Sequence, residues 1–216
     1  LKTFHIYISG IVQGVGFRPF VFKKAKEMGL NGWVNNTSNG VHIHINSDRR
    51  KALYFVDELK NNAPHLAVMT QIEIHEVTFT EYHDFNIEHS TTNSEANLLL
   101  TPDYGMCKDC KEEISSKNNP RFEYPFTTCT NCGPRYSIAR SLPYDRETTT
   151  MDRFTMCSSC ENEYNDPMDR RYYSQTNSCP TCTIEMTLIE NGKVIPQFND
   201  MDRIVDHWNA GMIVAI

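Results

Sequence analysis

Eight cysteines carry the plainest chemistry in this chain of 216 residues. They form four Cys-x-x-Cys pairs: Cys107 and Cys110, Cys129 and Cys132, Cys157 and Cys160, Cys179 and Cys182. Each pair sets two thiolates on one tight knuckle, and two knuckles complete the tetrahedral all-sulfur shell that Zn²⁺ takes. No histidine falls between His89 and His207, so two all-cysteine sites are expected. Joining the first pair to the second and the third to the fourth is simplest; an interleaved arrangement is chemically equal. Four thiolates leave no open position for water or substrate. Two structural zinc ions are therefore expected, holding together units with little core of their own. Iron would accept the same ligands, zinc being the commoner occupant. A redox dithiol needs one such pair, not four matched ones.

A second constellation suits an anion. Val12-Gln13-Gly14-Val15-Gly16-Phe17-Arg18 joins a strand to a helix. Its two glycines let the backbone curl so that successive N–H groups converge. The helix N-terminus adds its positive end, and Arg18 adds a planar, permanently charged fork. Gln13, Gly14, Val15, Gly16, Phe17 and Arg18 are thus the candidate phosphate cradle. Asn36, in Gly32-Trp33-Val34-Asn35-Asn36-Thr37, is placed to reach an anion held there. A neutral amide is no strong base, but it can orient a water for in-line attack on phosphorus. With an acyl leaving group, positioning and charge neutralisation suffice. The bland counterpart is a phosphate-binding fold that no longer turns over.

The elements that must position these groups read as follows. Phe4, Ile6 and Ile8 alternate with His5, Tyr7 and Ser9 as in a half-buried strand. Pro19 opens a helix whose buried side is Phe17, Phe20, Val21, Ala25 and Met28, and Gly29 ends it. Strands at Trp33-Val34 and Val41–Ile45 flank an Asn39-Gly40 hairpin turn, the first of them expected beside the opening strand. A second helix, capped by Ser47 or Asp48, buries Ala52, Leu53, Val56 and Leu59. A long strand from Val68 to Phe79 and a short edge strand at Phe85–Ile87 follow. The order is β-α-β-β-α-β, an α+β chain of ferredoxin-like plan.

Domain expectations are 1–90 for that fold, 91–104 for a polar linker, 105–186 for the cysteine module and 187–216 for the start of a further α/β domain. The module repeats. A shift of fifty residues lays Cys107, Cys110, Glu113, Arg121, Phe122, Cys129 and Cys132 onto Cys157, Cys160, Glu163, Arg171, Tyr172, Cys179 and Cys182. Near the end, Asp200 or Asp202 caps a short helix that Gly211 stops. Met212-Ile213-Val214-Ala215-Ile216 then reads as a strand buried on both faces, so the chain is expected to continue.

Bulk composition narrows the partners. Net charge is −6, and residues 103–185 carry ten Lys/Arg against thirteen Asp/Glu, which disfavours nucleic acid. No apolar stretch is long enough for a membrane span, and no secretion signal opens the chain, so a cytoplasmic location is expected. His42 and His44 share a strand face read as exposed and polar. Lys23, Lys24 and Lys26 read as a solvated helix face able to steer anions. Met69 and Trp208 read as core.

The run Gly10-Ile11-Val12-Gln13-Gly14-Val15-Gly16-Phe17-Arg18, with Gly32-Trp33-Val34-Asn35-Asn36-Thr37, resembles the acylphosphatase family over roughly the first ninety residues. That resemblance implies that Arg18 binds phosphate and Asn36 positions the water. Cys129-Thr130-Asn131-Cys132-Gly133-Pro134-Arg135-Tyr136, Tyr124-Pro125-Phe126, Leu142-Pro143-Tyr144-Asp145-Arg146 and Asp169-Arg170-Arg171-Tyr172 resemble the HypF family of hydrogenase-maturation carbamoyltransferases. The tail from Gly211 looks like the first strand of that family's YrdC-like domain. Thr183 departs from the Gly-Pro that the family favours after the last cysteine.

The resemblance implies hydrolysis of carbamoyl phosphate here, releasing carbamate toward an adenylating domain. ATP and Mg would belong to downstream domains only. The carbamoyl group would pass as an adenylate to the C-terminal cysteine of a partner, HypE, on the route to the cyanide ligands of [NiFe]-hydrogenase. The competing expectations are a generic acylphosphatase with a zinc-stabilised protein-interaction module, and a non-enzymatic scaffold.

Overall fold

A computed structural model describes residues 1–91, 101–182, 184, 187–195 and 201–213. The chain divides into two compact units, Leu1–Thr183 and Ile184–Ile216.

The larger unit opens with β1 (Lys2–Ile11), α1 (Phe17–Glu27), β2 (Asn31–Thr37), β3 (Gly40–Ser47), α2 (Arg49–Asn61), β4 (Val68–Val77) and β5 (Phe85–Ile87). The order expected from periodicity is the order observed. Sheet order is β4-β1-β3-β2-β5, antiparallel except for β5, which runs parallel to β2. One placement is corrected: β2 does not lie beside β1. Ile43 of β3 faces Ile6 on one side and Val34 on the other, so β3 separates them. The β2–β3 hairpin packs back against β1 by its second arm.

One face of the sheet is apolar. Phe4, Ile6, Ile8, Val34, Ile43 and Ile45 are buried there against Val21 and Ala25 of α1 and Ala52, Phe55, Val56 and Leu59 of α2. Leu53, expected inside, is 43% exposed, and Phe55 takes its place. Positions 52, 55, 56 and 59 keep the i, i+3, i+4, i+7 spacing of one helix face, and 53 falls about 100° off it. Asp48 caps α2, its carboxylate accepting from the Lys51 N–H at 2.9 Å. The first helix begins at Phe17 rather than at Pro19, with Gly16 as its cap at φ +73°. Pro19 still sits in the first turn, where its missing N–H costs nothing.

The other face carries a half-buried layer of rings where an exposed polar surface was expected. His5 Nε2 lies 2.8 Å from His42 Nδ1, and the two rings stack. Trp33 stacks on His44 with centroids 4.4 Å apart, and His44 Nδ1 lies 3.1 Å from the Tyr82 hydroxyl. Met69 packs partly buried at the edge of the core. Lys24 pairs with Glu27 and Glu58, and Lys26 with Asp84, so local carboxylates hold two of the three helix lysines.

The cysteine module is a pair of matched halves. Cys107 caps α3 (Lys108–Ser115) and Cys157 caps α4 (Ser158–Asn165). The first knuckle of each half therefore sits on a helix N-terminus, where the dipole favours thiolate. Arginines are exchanged between the halves. Arg121 Nε donates to Ser178 O at 3.0 Å, and its fork grips Glu163 at 2.8 and 2.5 Å. At the position fifty residues on, Arg171 Nε donates to Thr128 O at 3.0 Å and its fork grips Glu113. Burial works against both carboxylates, but the guanidinium hydrogen bonds outweigh it and hold Glu113 and Glu163 below the usual range. Neither half is closed without the other.

The smaller unit holds a hairpin of β6 (Leu188–Glu190) and β7 (Lys193–Ile195) and the helix α5 (Met201–Asn209). Within it Trp208 is 67% exposed, not core. Of the expected terminal strand, Met212 and Ile213 are not in strand conformation, and Val214–Ile216 lie outside the described residues. So do residues 92–100 of the expected linker and Thr183.

Candidate functional site

The loop from Val12 to Phe17 leaves the end of β1 and turns into α1, beside the end of β2 that carries Asn36. Gly14 (φ +70°) and Gly16 (φ +73°) adopt the left-handed conformation that an L side chain resists. A Cβ on Gly14 would stand 2.9 Å from Arg135 Cδ, so space as well as φ reserves that position for glycine. Gln13 braces the loop from below. Its Nε2 donates to Thr37 O at 2.8 Å and Gly40 O at 3.2 Å, and its Oε1 accepts from Tyr144 N at 2.9 Å.

Arg18 is 7% exposed and Asn36 is 1% exposed. With the Asn36 amide oriented to satisfy both its ends, its oxygen accepts from Arg18 Nε at 2.9 Å and Nη2 at 3.2 Å. The two residues singled out from separate motifs thus meet, although β1, which leads to Arg18 at the start of α1, and β2, which carries Asn36, are not neighbours. Val12, Gln13, Gly14, Gly16, Phe17, Arg18 and Asn36 line one small cleft; Val15 is buried in the core.

Sequence reasoning missed the far wall. Thr130, Arg135, Tyr144, Tyr173, Ser174 and Gln175 of the cysteine module line the same cleft. Asp145 Oδ1 accepts from Arg18 Nη2 at 2.5 Å, Tyr144 O lies 3.5 Å from the same nitrogen, and Ser90 Oγ accepts from Nη1 at 3.1 Å. The Tyr173 ring lies 5.5 Å from the guanidinium carbon. Burial pushes both Tyr144 and Tyr173 above the ordinary tyrosine range. Arg135 locks module and loop together: Nε donates to Gly14 O, while Nη1 and Nη2 donate to the carbonyls of Cys132, Pro134, Cys129 and Thr130 at 2.8–3.1 Å. Several of these residues stood in motifs already noted, Gly133–Tyr136 and Leu142–Arg146. What no local pattern supplied was contact across more than a hundred residues.

The cysteines form two clusters in chain order, Cys107, Cys110, Cys129 and Cys132, and Cys157, Cys160, Cys179 and Cys182. The interleaved alternative is not what the chain adopts. In the first cluster Cys107–Cys129, Cys129–Cys132 and Cys110–Cys132 sulfurs lie 3.7, 3.8 and 3.5 Å apart. The corresponding distances in the second are 3.6, 3.7 and 3.6 Å. Disulfide sulfurs would sit at about 2.0 Å. Four thiolates tetrahedrally placed at about 2.3 Å from a zinc ion are about 3.8 Å from one another. The donor set fits a four-coordinate metal. Arg170 Nη2 donates to Cys110 Sγ at 3.1 Å, offsetting part of the charge such a cluster carries.

Family comparison follows this division. Residues 4–87 match the acylphosphatase family, and residues 106–139 and 156–189 each match the HypF finger. Over 197 residues the chain is 41% identical to the carbamoyltransferase HypF of Rhodobacter capsulatus, covering 91% of the chain and 26% of that protein. The chain belongs to the HypF family. A crystal structure of full-length HypF in the phosphate- and nucleotide-bound form superposes with a TM-score of 0.88 at 38% identity, over 97% of this chain and 27% of that one. The acylphosphatase of Thermotoga petrophila is 39% identical over 90 residues, 41% of this chain and 99% of that protein. The chain spans about a quarter of the length of the HypF relative named above. Among the described residues no helix is long and apolar enough to cross a membrane.

Proposed function

We propose that the cleft hydrolyses carbamoyl phosphate to carbamate and phosphate. The observation that carries this is the buried Arg18 guanidinium, joined to Asn36 and lining one cleft with the left-handed glycines Gly14 and Gly16. In this reading the amides of Gln13–Phe17 and the Arg18 fork hold the phosphoryl oxygens. The Asn36 oxygen faces Arg18, which leaves its NH₂ to hold a water in line with the P–O bond to the acyl group. Water oxygen bonds to phosphorus, the acyl oxygen departs with its electron pair as carbamate, and the water proton passes to a phosphoryl oxygen. No strong base is needed, because carbamate is already a good leaving group.

Both cysteine clusters hold structural zinc, whose role is to set the module that walls the cleft. In a longer protein, ATP and Mg in further domains would activate the carbamate, and HypE would accept the carbamoyl group. Steady-state hydrolysis of carbamoyl phosphate tests the local reading. Arg18→Ala is expected to abolish phosphate binding. Asn36→Ala is expected to lower kcat by about 10²–10³ with KM little changed. Equal loss of binding in both variants would contradict the division of roles.

A further inference from the structure

A phosphoryl group is only part of an acyl phosphate, and the loop, Arg18 and Asn36 account for that part alone. The rest of the cleft wall comes from the cysteine module. Most of its polar side chains are already engaged. Thr130 Oγ1 donates to Arg170 O at 3.1 Å. Arg135 is spent on five carbonyls. Gln175 Oε1 accepts from Arg146 N at 2.8 Å and from the Tyr164 hydroxyl at 3.1 Å, and its Nε2 donates to Tyr173 O at 3.2 Å. Ser174 differs. It is 2% exposed, and its Oγ has no hydrogen-bond partner among the described residues. A buried hydroxyl left unpaired is destabilising, so its place in a cleft wall points to a ligand group that completes it.

Asp145 is the second anomaly. A carboxylate 2.5 Å from the guanidinium meant for phosphate repels the dianion that must come in. The repulsion is tolerable where the same ligand also brings donors. Tyr144 O, 3.5 Å from the same guanidinium nitrogen, adds another acceptor. Acetyl phosphate offers these oxygens a methyl group where carbamoyl phosphate offers two N–H donors; the carbonyl is common to both.

We propose that Ser174 and Asp145 form the acyl subsite of this cleft, with Asp145 accepting an N–H of the carbamoyl group and so selecting it over an alkyl acyl group. This rests on the carbamoyl phosphate reading above and adds which residues choose the acyl half. A site built to accept a donor rejects the analogue that lacks it, because the buried acceptor is then left unpaired.

The test uses the whole chain, with carbamoyl phosphate and acetyl phosphate as substrates and inorganic phosphate as inhibitor. Among the described residues Ser174 makes no side-chain hydrogen bond, so Ser174→Ala leaves the surrounding packing in place. It is expected to lower kcat/KM for carbamoyl phosphate about 10-fold or more, with the inhibition constant of inorganic phosphate unchanged, since phosphate has no acyl half. Asp145→Asn is expected to reduce the carbamoyl-over-acetyl ratio about 10-fold or more. The proposal is overturned if Ser174→Ala leaves carbamoyl phosphate turnover intact or weakens inorganic phosphate in step with it. It is equally overturned if Asp145→Asn slows both substrates alike. A wild-type chain that hydrolyses neither substrate would instead remove the reading on which the proposal stands.

Discussion

Substituting Arg121 should loosen the metal cluster to which it contributes no ligand. In sequence Arg121 lies between Cys110 and Cys129, the knuckles of the first cluster. In space its side chain, 5% exposed, serves the second half: Glu163 at 2.8 and 2.5 Å, Ser178 O at 3.0 Å, Asn177 Oδ1 at 3.1 Å and Cys160 Sγ at 3.6 Å. Removing one member of a buried, bidentate pair costs about 3–5 kcal/mol, because the partner charge stays buried. Metal held only by the closed module should then be retained about 10²- to 4 × 10³-fold less well, at about 1.4 kcal/mol per tenfold. The assay is metal transfer to a chromophoric chelator, with the cysteines released first identified by alkylation and mass spectrometry. Arg121→Ala should expose Cys157, Cys160, Cys179 and Cys182 before the other four. Arg121→Lys, which keeps the charge but loses the fork, should fall between. Prior release from the cluster of Cys107, or no change in either, would refute the exchange of arginines as the force closing the module.

Two further outcomes follow from the first domain. Gly14→Ala forces a side chain into a left-handed φ and to within 2.9 Å of Arg135; inorganic phosphate inhibition should weaken at least 10-fold while the helical and strand content by circular dichroism stays the same. The ring layer should make stability pH-dependent. Burial first, then the charges of His5 and His42, lowers His44 to about 4, and burial likewise lowers His5 and His42. His75 adds to the lowering at His5, and Glu73 opposes it. Folded values below the unfolded value of about 6.5 mean that the unfolded chain binds more protons between them. Stability is therefore full above about pH 6.5 and declines as pH falls toward 4. Urea unfolding at pH 7 and pH 5 should show that loss, and His44→Gln should reduce it; an unchanged pH dependence in the variant would count against the assignment.

Period-two and helical spacing were enough to read the strands and helices of the first domain, because each is set by neighbours a few residues away. Cys-x-x-Cys spacing was enough for two metal clusters, and the fifty-residue repeat already held Glu113, Arg121, Glu163 and Arg171 in register. Adjacency was not legible: nothing in the pattern of β2 says that β3 will stand between it and β1. Leu53 was misplaced because hydrophobicity was weighed above helical angle, which favours Phe55. The cleft wall was hidden for a different reason. Tyr144, Asp145, Tyr173 and Ser174 meet Arg18 or its cleft across long stretches of sequence, and the halves of the module that carry them are joined by buried charge pairs between distant segments. Arg135 is the clearest case, since its guanidinium ties one cysteine knuckle to the Gly14 loop.

Attack on phosphorus by a water held at Asn36 can be followed atom by atom. Carbamoyl phosphate hydrolysed by the whole chain in ¹⁸O-labelled water should yield phosphate carrying one labelled oxygen, read by phosphorus resonance shifts after correction for spontaneous breakdown, and Asn36→Ala should slow the labelling. Unlabelled phosphate at full turnover would mean attack at the carbonyl carbon, and the account of this cleft would be wrong.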